Sequence, residues 1–258
     1  MIDELLFSSP VLTLLLVTTL LLAGFVQGIA GFGSGLIAIP VFVLFVDPRV
    51  LIPAALVQGL LMNGALAFGA RAHIQPRRIG PILAGAVVGL PFGTALLLAL
   101  SADLLKIAIG AATVTFGLLL ISGRRLRAMQ GWWLGIPVGA LSGLLNGSIS
   151  LSGPPVILFF ANQGAMKDNF RANLVTYFLG LNIITLALFG VLGLMTREVL
   201  LLAAWTLPPA LAGVYLGARA SKRVKETTFK KLALLLVTSA GAISMISGLV
   251  TVLKGLVI

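Results

Sequence analysis

Long uncharged apolar stretches dominate this chain, at residues 10–46, 50–70, 79–100, 104–122, 132–165, 172–195, 199–218 and 232–253. A helix needs about 20 apolar residues to cross a bilayer. Lipid offers no water to the backbone, so each segment must satisfy its own amide and carbonyl groups, as a helix does. Only 10% of the residues are charged, against roughly 25% in a soluble domain. That leaves too few polar groups to cover a water-soluble surface. The chain is expected to be an all-α polytopic membrane protein, with the lipid bilayer as a partner.

Two runs, 10–46 and 132–165, are too long for one ordinary crossing. Each carries a Gly/Ser-rich middle, where a continuous helix is disfavoured. Each is therefore read as two helical pieces joined by a break. Loop charge tests this reading. Arg71, Arg77 and Arg78 share one connection, and Arg124, Arg125 and Arg127 share another. Arg219, Lys222, Arg223, Lys225, Lys230 and Lys231 crowd a third. Basic loops belong on the cytoplasmic side, which also explains the net charge of +11 without a nucleic-acid partner. All three loops lie inside only if 132–165 enters and returns. The same rule applied to 10–46 puts both termini outside. The acidic start, Asp3 and Glu4, is unlike a cleaved signal. The second half then begins on the opposite face from the first, as in an inverted-topology repeat. The expected organisation is one integral membrane domain of two such repeats, residues 1–127 and 128–258. Each has a broken or re-entrant first segment followed by three transmembrane helices.

The halves also align. Gly28-Ile29-Ala30-Gly31-Phe32-Gly33-Ser34-Gly35, followed by Pro40-Val41, matches Gly143-Leu144-Leu145-Asn146-Gly147-Ser148-Ile149-Ser150, followed by Pro155-Val156. Asn63 pairs with Asn182, Phe68-Gly69 with Phe189-Gly190, Gly89 and Gly93 with Gly213 and Gly217, Lys106 with Lys230, and Ile121 with Met245. The order is kept throughout. Gly85, Gly89 and Gly93 stand four apart, a small-residue stripe for close helix packing with no expected ligand role.

These repeated segments resemble those of the TauE/SafE family, also called the toluene-sulfonate uptake permease family. The resemblance rests on Gly31-Phe32-Gly33-Ser34-Gly35 with Pro40, on Asn146-Gly147-Ser148 through Ser152-Gly153-Pro154-Pro155, and on Arg171 before the next helix. It covers nearly the whole chain. The second half departs from the glycine-only style of the motif, carrying Ser148, Ser150 and Ser152. The resemblance implies transport of small sulfur-containing anions, such as sulfite, thiosulfate or sulfonates, across the bacterial inner membrane.

The residues themselves point the same way. A broken helix leaves backbone N–H groups without intrahelical partners. Those groups and the helix dipole favour an anion at a half-helix N-terminus, and glycine lets it approach the backbone. Serine and asparagine add donors. The candidate substrate-binding residues are Gly31, Gly33, Ser34, Gly35, Asn146, Gly147, Ser148, Ser150, Ser152 and Gly153 in the breaks. Gln58, Asn63, Tyr177 and Asn182 lie in neighbouring runs, and Arg171 is placed to attract anions at an entrance. The alternative is that the glycines and serines only pack helices, at spacings such as Gly24 to Gly28. Asn63 and Asn182 could equally form an interhelical hydrogen bond, and Arg171 could snorkel to the interface.

Catalytic, metal and cofactor sites are not expected. The chain has no cysteine and a single histidine, His73, which alone cannot build a zinc site. Its acids, Asp3, Glu4, Asp47, Asp103, Asp168, Glu198 and Glu226, all fall at or outside run ends. No carboxylate sits deep enough in a run to relay a proton. The expected function is therefore a secondary transporter, an exporter driven in large part by membrane potential. An anion channel built on the same breaks, or a membrane enzyme, are the alternatives.

Overall fold

In a computed structural model of the chain, the described residues are 9–122, 132–163 and 166–223, with positions 246, 249, 250, 253 and 254. Arg124, Arg125, Arg127, Lys225, Lys230, Lys231, both termini and most of run 232–253, with the expectations that rest on them, lie outside these residues. The first long run divides into α1 (Pro10–Ala30) and α2 (Ser34–Phe42). Then come α3 (Pro48–Ala70), a short 3₁₀ turn at Arg71–His73, α4 (Pro76–Ala99) and α5 (Ala102–Ser122). The second long run divides into α6 (Gly135–Ile149), preceded by a 3₁₀ turn at Trp132–Leu134, and α7 (Gly153–Asn162). Then follow α8 (Lys167–Val191) and α9 (Arg197–Arg223). Among the described residues six helices are long and apolar enough to cross a bilayer; α6 and α7 are shorter and apolar.

Local chemistry sets the ends. Proline opens α1, α3 and α4, where its missing N–H leaves no bond unmade and its fixed φ suits the first turn. The Asp47 carboxylate accepts from Arg49 N at 2.7 Å and caps α3. Asp103, Asp168 and Glu198 sit in the first turns of α5, α8 and α9, where a negative charge meets the positive end of the helix dipole. The described acids are thus all at helix N-termini.

The surface is inverted relative to a water-soluble protein. Val11, Leu14, Phe68, Val88, Phe92 and Leu200 are exposed, while Gln27, Gln58, Asn63, Asn146, Asn173 and Asn182 are buried. An apolar outside over a polar interior is what a lipid solvent selects. Together these features make the chain an integral membrane protein.

Two glycine-lined seams hold the bundle. A Cβ on Gly85, Gly89 or Gly93 of α4 would collide with the backbone carbonyls of Ile136, Ala140 and Leu144 of α6. Reciprocally, Gly139 and Gly143 of α6 face the carbonyls of Ile82 and Ala86. The register climbs on both helices together, so α4 and α6 run parallel. In the other seam Gly24 and Gly28 of α1 face Ala210 and Val214 of α9, while Gly213 and Gly217 face Leu21 and Phe25. That pair is parallel too. The packing stripe expected at Gly85, Gly89 and Gly93 is present. Its partner is the broken helix of the other half.

Candidate functional site

Each break is built by its own sequence. α1 ends where Gly31 turns left-handed at φ 82°, its N–H donating to Gln27 O at 2.8 Å. Gly33 follows at φ 104°. Side chains rarely adopt this region, so the pair allows α2 to restart at Ser34. In the second half, Ser150 takes the left-handed conformation at φ 55°, and its N–H donates to Asn146 O. Serine tolerates this position less well than glycine. α7 restarts at Gly153, with Pro154 in its first turn.

The two breaks meet. A Cβ on Gly35 would stand 3.4 Å from Ser150 O. Between them lies a cavity of about 90 Å³. A water needs about 10–15 Å³ of such space, so there is room for several waters or one small polyatomic ion. The N-terminal turns of α2 and α7 both reach it, through Ser34, Gly35 and Leu36, and through Gly153 and Pro154. α3 adds Gln58, Gly59 and Asn63, and α8 adds Phe178 and Asn182. Among the described residues no charged side chain lines this cavity. What it offers is neutral polarity plus the positive ends of two short helices, where the dipoles favour a negative charge.

A buried carboxamide ties the first break together. Gln27 Nε2 donates to Gly31 O at 3.3 Å and to Asn63 Oδ1 at 2.8 Å. Its Oε1 accepts from Ser34 N at 3.3 Å and Ser34 Oγ at 3.1 Å. The second break is held by a hydroxyl chain. Tyr177 OH donates to Ser142 Oγ, and Ser142 Oγ donates to Ser152 O, both at 2.8 Å. Asn146 Nδ2 donates to Thr185 Oγ1 at 2.8 Å, and Gln58 Nε2 to Thr206 O at 3.2 Å. Among the described residues, the Asn182 side chain makes no hydrogen bond.

Of the residues expected from sequence, Gly33, Ser34, Gly35, Gln58, Asn63, Asn146, Ser150, Ser152, Gly153 and Asn182 line the cavity. Five do not. Gly31 packs under the Arg171 side chain. Gly147 faces Leu90 and Thr94 across the α4–α6 seam. Ser148 turns its hydroxyl back to Leu144 O at 2.7 Å. Tyr177 is fully buried behind Ser142. Arg171 lies within α8 rather than before it. It donates to Gly28 O and to Ser221 Oγ. It borders a separate cleft of about 500 Å³ with His73, Lys167, Asp168 and Asn169. Asn63 and Asn182 do not bond each other; Asn63 does accept an interhelical hydrogen bond, from Gln27 Nε2 of α1, so that reading holds for Asn63 and not for Asn182. Gln27, Gly59, Ser142 and Thr185 were missed. Gln27 carried a usable signal: it is an amide inside an apolar run, one turn before the first break.

The profile of the family described as Sulfite exporter TauE/SafE matches residues 16–245. A protein of Cupriavidus necator described as "Probable sulfite/organosulfonate exporter TauE" is 28% identical over 242 residues, spanning 91% of this chain and 94% of its own. No solved structure matches. With a polytopic helical fold, paired helix breaks and a family match over nearly its whole length, the chain belongs to the TauE/SafE sulfite exporter family.

Proposed function

We propose that this protein is a secondary transporter that exports a small sulfur-containing anion, such as sulfite, thiosulfate or an organosulfonate, from the bacterial cytoplasm. The observation that carries this reading is the charge-free polar cavity where two helix N-termini meet inside an apolar bundle. The substrate rests there, held by Asn63, Asn146, Ser150, Ser152 and Asn182 and by the backbone N–H groups of Gly35 and Gly153; both Ser34 donors are taken by Gln27, and Pro154 and Pro155 have no N–H. Binding without a fixed cation suits a carrier, because the same site must release its load. The relative's printed description, a sulfite/organosulfonate exporter, agrees with the chemistry.

The two halves, 1–127 and 128–258, act as inverted-topology repeats around that cavity. Three features support this: the paired breaks, the matched motifs, and the reciprocal seams in which each broken helix packs on the fourth element of the other half. Both termini then face outside and the basic loops face the cytoplasm. Alternating access follows from rocking of the repeats against each other.

The test is a thermal-shift screen of purified protein with sulfite, thiosulfate, sulfoacetate and sulfate, followed by flux in proteoliposomes. A ligand that binds only the folded state raises apparent stability by about 2.7 kcal/mol at 100 times its Kd. Saturable flux with countertransport supports the carrier. Large unitary currents would make it a channel, and no shift with any of the four anions would refute the assignment.

A further inference from the structure

The Gln27 carboxamide is fixed by groups that have no choice. Ser34 N–H can only donate, so the Gln27 atom facing it at 3.3 Å is the oxygen. Gly31 carbonyl can only accept, so the atom facing it at 3.3 Å is the nitrogen. That nitrogen also stands 2.8 Å from the Asn63 side chain, so the Asn63 atom it meets is the oxygen Oδ1. Amide orientations are ordinarily ambiguous. Here two backbone groups settle one, and it settles the next. Asn63 Nδ2, with both its hydrogens, is left on the other side. Among the described residues it has no hydrogen-bond partner.

The space it faces is the cavity. Asn63 is 3% exposed and Asn182 is 6% exposed, and both line the wall beside Gly59. A Cβ on Gly59 would lie 3.9 Å from Asn63 Nδ2 and 2.8 Å from Asn182 Nδ2. Glycine at 59 therefore leaves open the spot on which the two carboxamides converge. Among the described residues both amide nitrogens are left open to the cavity without a protein partner, and an acceptor oxygen arriving between these side chains would take their hydrogens.

We infer that Gln27 is a positioning residue: it locks Asn63 with its amide donor toward the cavity, so that the first break presents donors and selects a solute whose facing oxygens are unprotonated acceptors. Gln27 lines the cavity too, but it has no free donor for the substrate. Its own donors are spent on Gly31 and Asn63, and its oxygen is spent on Ser34. Without it, Asn63 can turn and show its carbonyl oxygen to the anion. This rests on the reading of the cavity as an anion site.

The experiment is a double-mutant cycle, Gln27→Met and Asn63→Leu singly and together, in full-length protein. Sulfite and sulfoacetate affinities are read in parallel by ligand-dependent stability and by flux KM. Asn63→Leu is expected to weaken sulfite about 10- to 100-fold, the range for a hydrogen bond to a charged group. Gln27→Met should weaken it about 10-fold alone, and less than about twofold once Asn63 is leucine. A merely structural Gln27 would lower affinity equally in both backgrounds. Freed Ser34 donors cannot mimic the loss, since they add to what an anion can bond. Equal losses in the two backgrounds, or full affinity in Gln27→Met, would overturn the inference while wild-type binding keeps the anion reading intact. Failure of wild type to bind either anion overturns both. If Gln27→Met does not fold, Gln27→Leu closes the same cycle.

Discussion

Gly89→Ala is the sharpest probe of the seam that holds the second broken helix. An added Cβ would stand 2.7 Å from the Ala140 carbonyl carbon, and closer still to its oxygen. Non-bonded carbons settle at about 3.5–4.0 Å, so α4 and α6 must part by roughly 1 Å. A gap of 0.5–1 Å forfeits about a quarter to a half of each contact's attraction. The loss is shared by the neighbouring close approaches at Gly85, Gly93, Gly139 and Gly143. Overpacking of this kind costs about 1–3 kcal/mol, and the number of coupled contacts places Gly89→Ala near the top of that range. For a chain of this size each kcal/mol moves Tm by about 2–4 °C, giving a fall of roughly 4–12 °C for unfolding in detergent. Gly69→Ala is the internal control, because a Cβ there meets nothing within 4 Å. Its helix is expected to gain up to about 1 kcal/mol from the better helix former. Gly139→Ala added to Gly89→Ala should cost less than the sum of the two, since the helices have already separated. If Gly89→Ala melts with Gly69→Ala, the seam is not close-packed and the reasoning fails.

Other outcomes follow from the same geometry. Tyr177→Phe removes the donor to Ser142 but leaves Ser142 bonded to Ser152 O. Thermal unfolding should show a loss of about 0.5–1.5 kcal/mol, with sulfite affinity little changed. Ser150→Gly should keep wild-type stability, whereas Ser150→Val should lose about 1–2 kcal/mol, because φ 55° disfavours a branched side chain; equal melting of the two would contradict the strained turn. Anion efflux from proteoliposomes should accelerate under an inside-negative potential, since each exported charge gains about 2.3 kcal/mol per 100 mV; flux indifferent to an imposed potential would show that a net charge does not cross.

The helix interruptions were legible because Gly31, Gly33, Ser150 and Gly153 stand in runs too long for one crossing. Helix starts were less legible. Run 172–195 became a helix from Lys167 to Val191, because hydropathy discards the charged first turn that Asp168 stabilises. That shift carries Arg171 into α8, onto Gly28 O and Ser221 and off the cavity. A sequence reports a cation near a break but not which way a long side chain runs.

Gly147 and Ser148 show the complementary limit. They occupy the same motif as Asn146 and Ser150, yet 3.6 residues per turn rotates them toward α4 and toward their own backbone. Composition says that a segment holds donors; helical phase decides which of them see the solute. Asn63 goes one step further. Its place on the cavity wall follows from its helix, but the end of its carboxamide that faces inward is dictated by Gln27, 36 residues away. For an anion, donor and acceptor at that spot differ in sign, so in the proposed site the choice falls to a neighbour whose own donors and acceptor are already spent. Specificity in such a cavity is then a property of the hydrogen bonds among its wall residues as much as of the groups they turn inward.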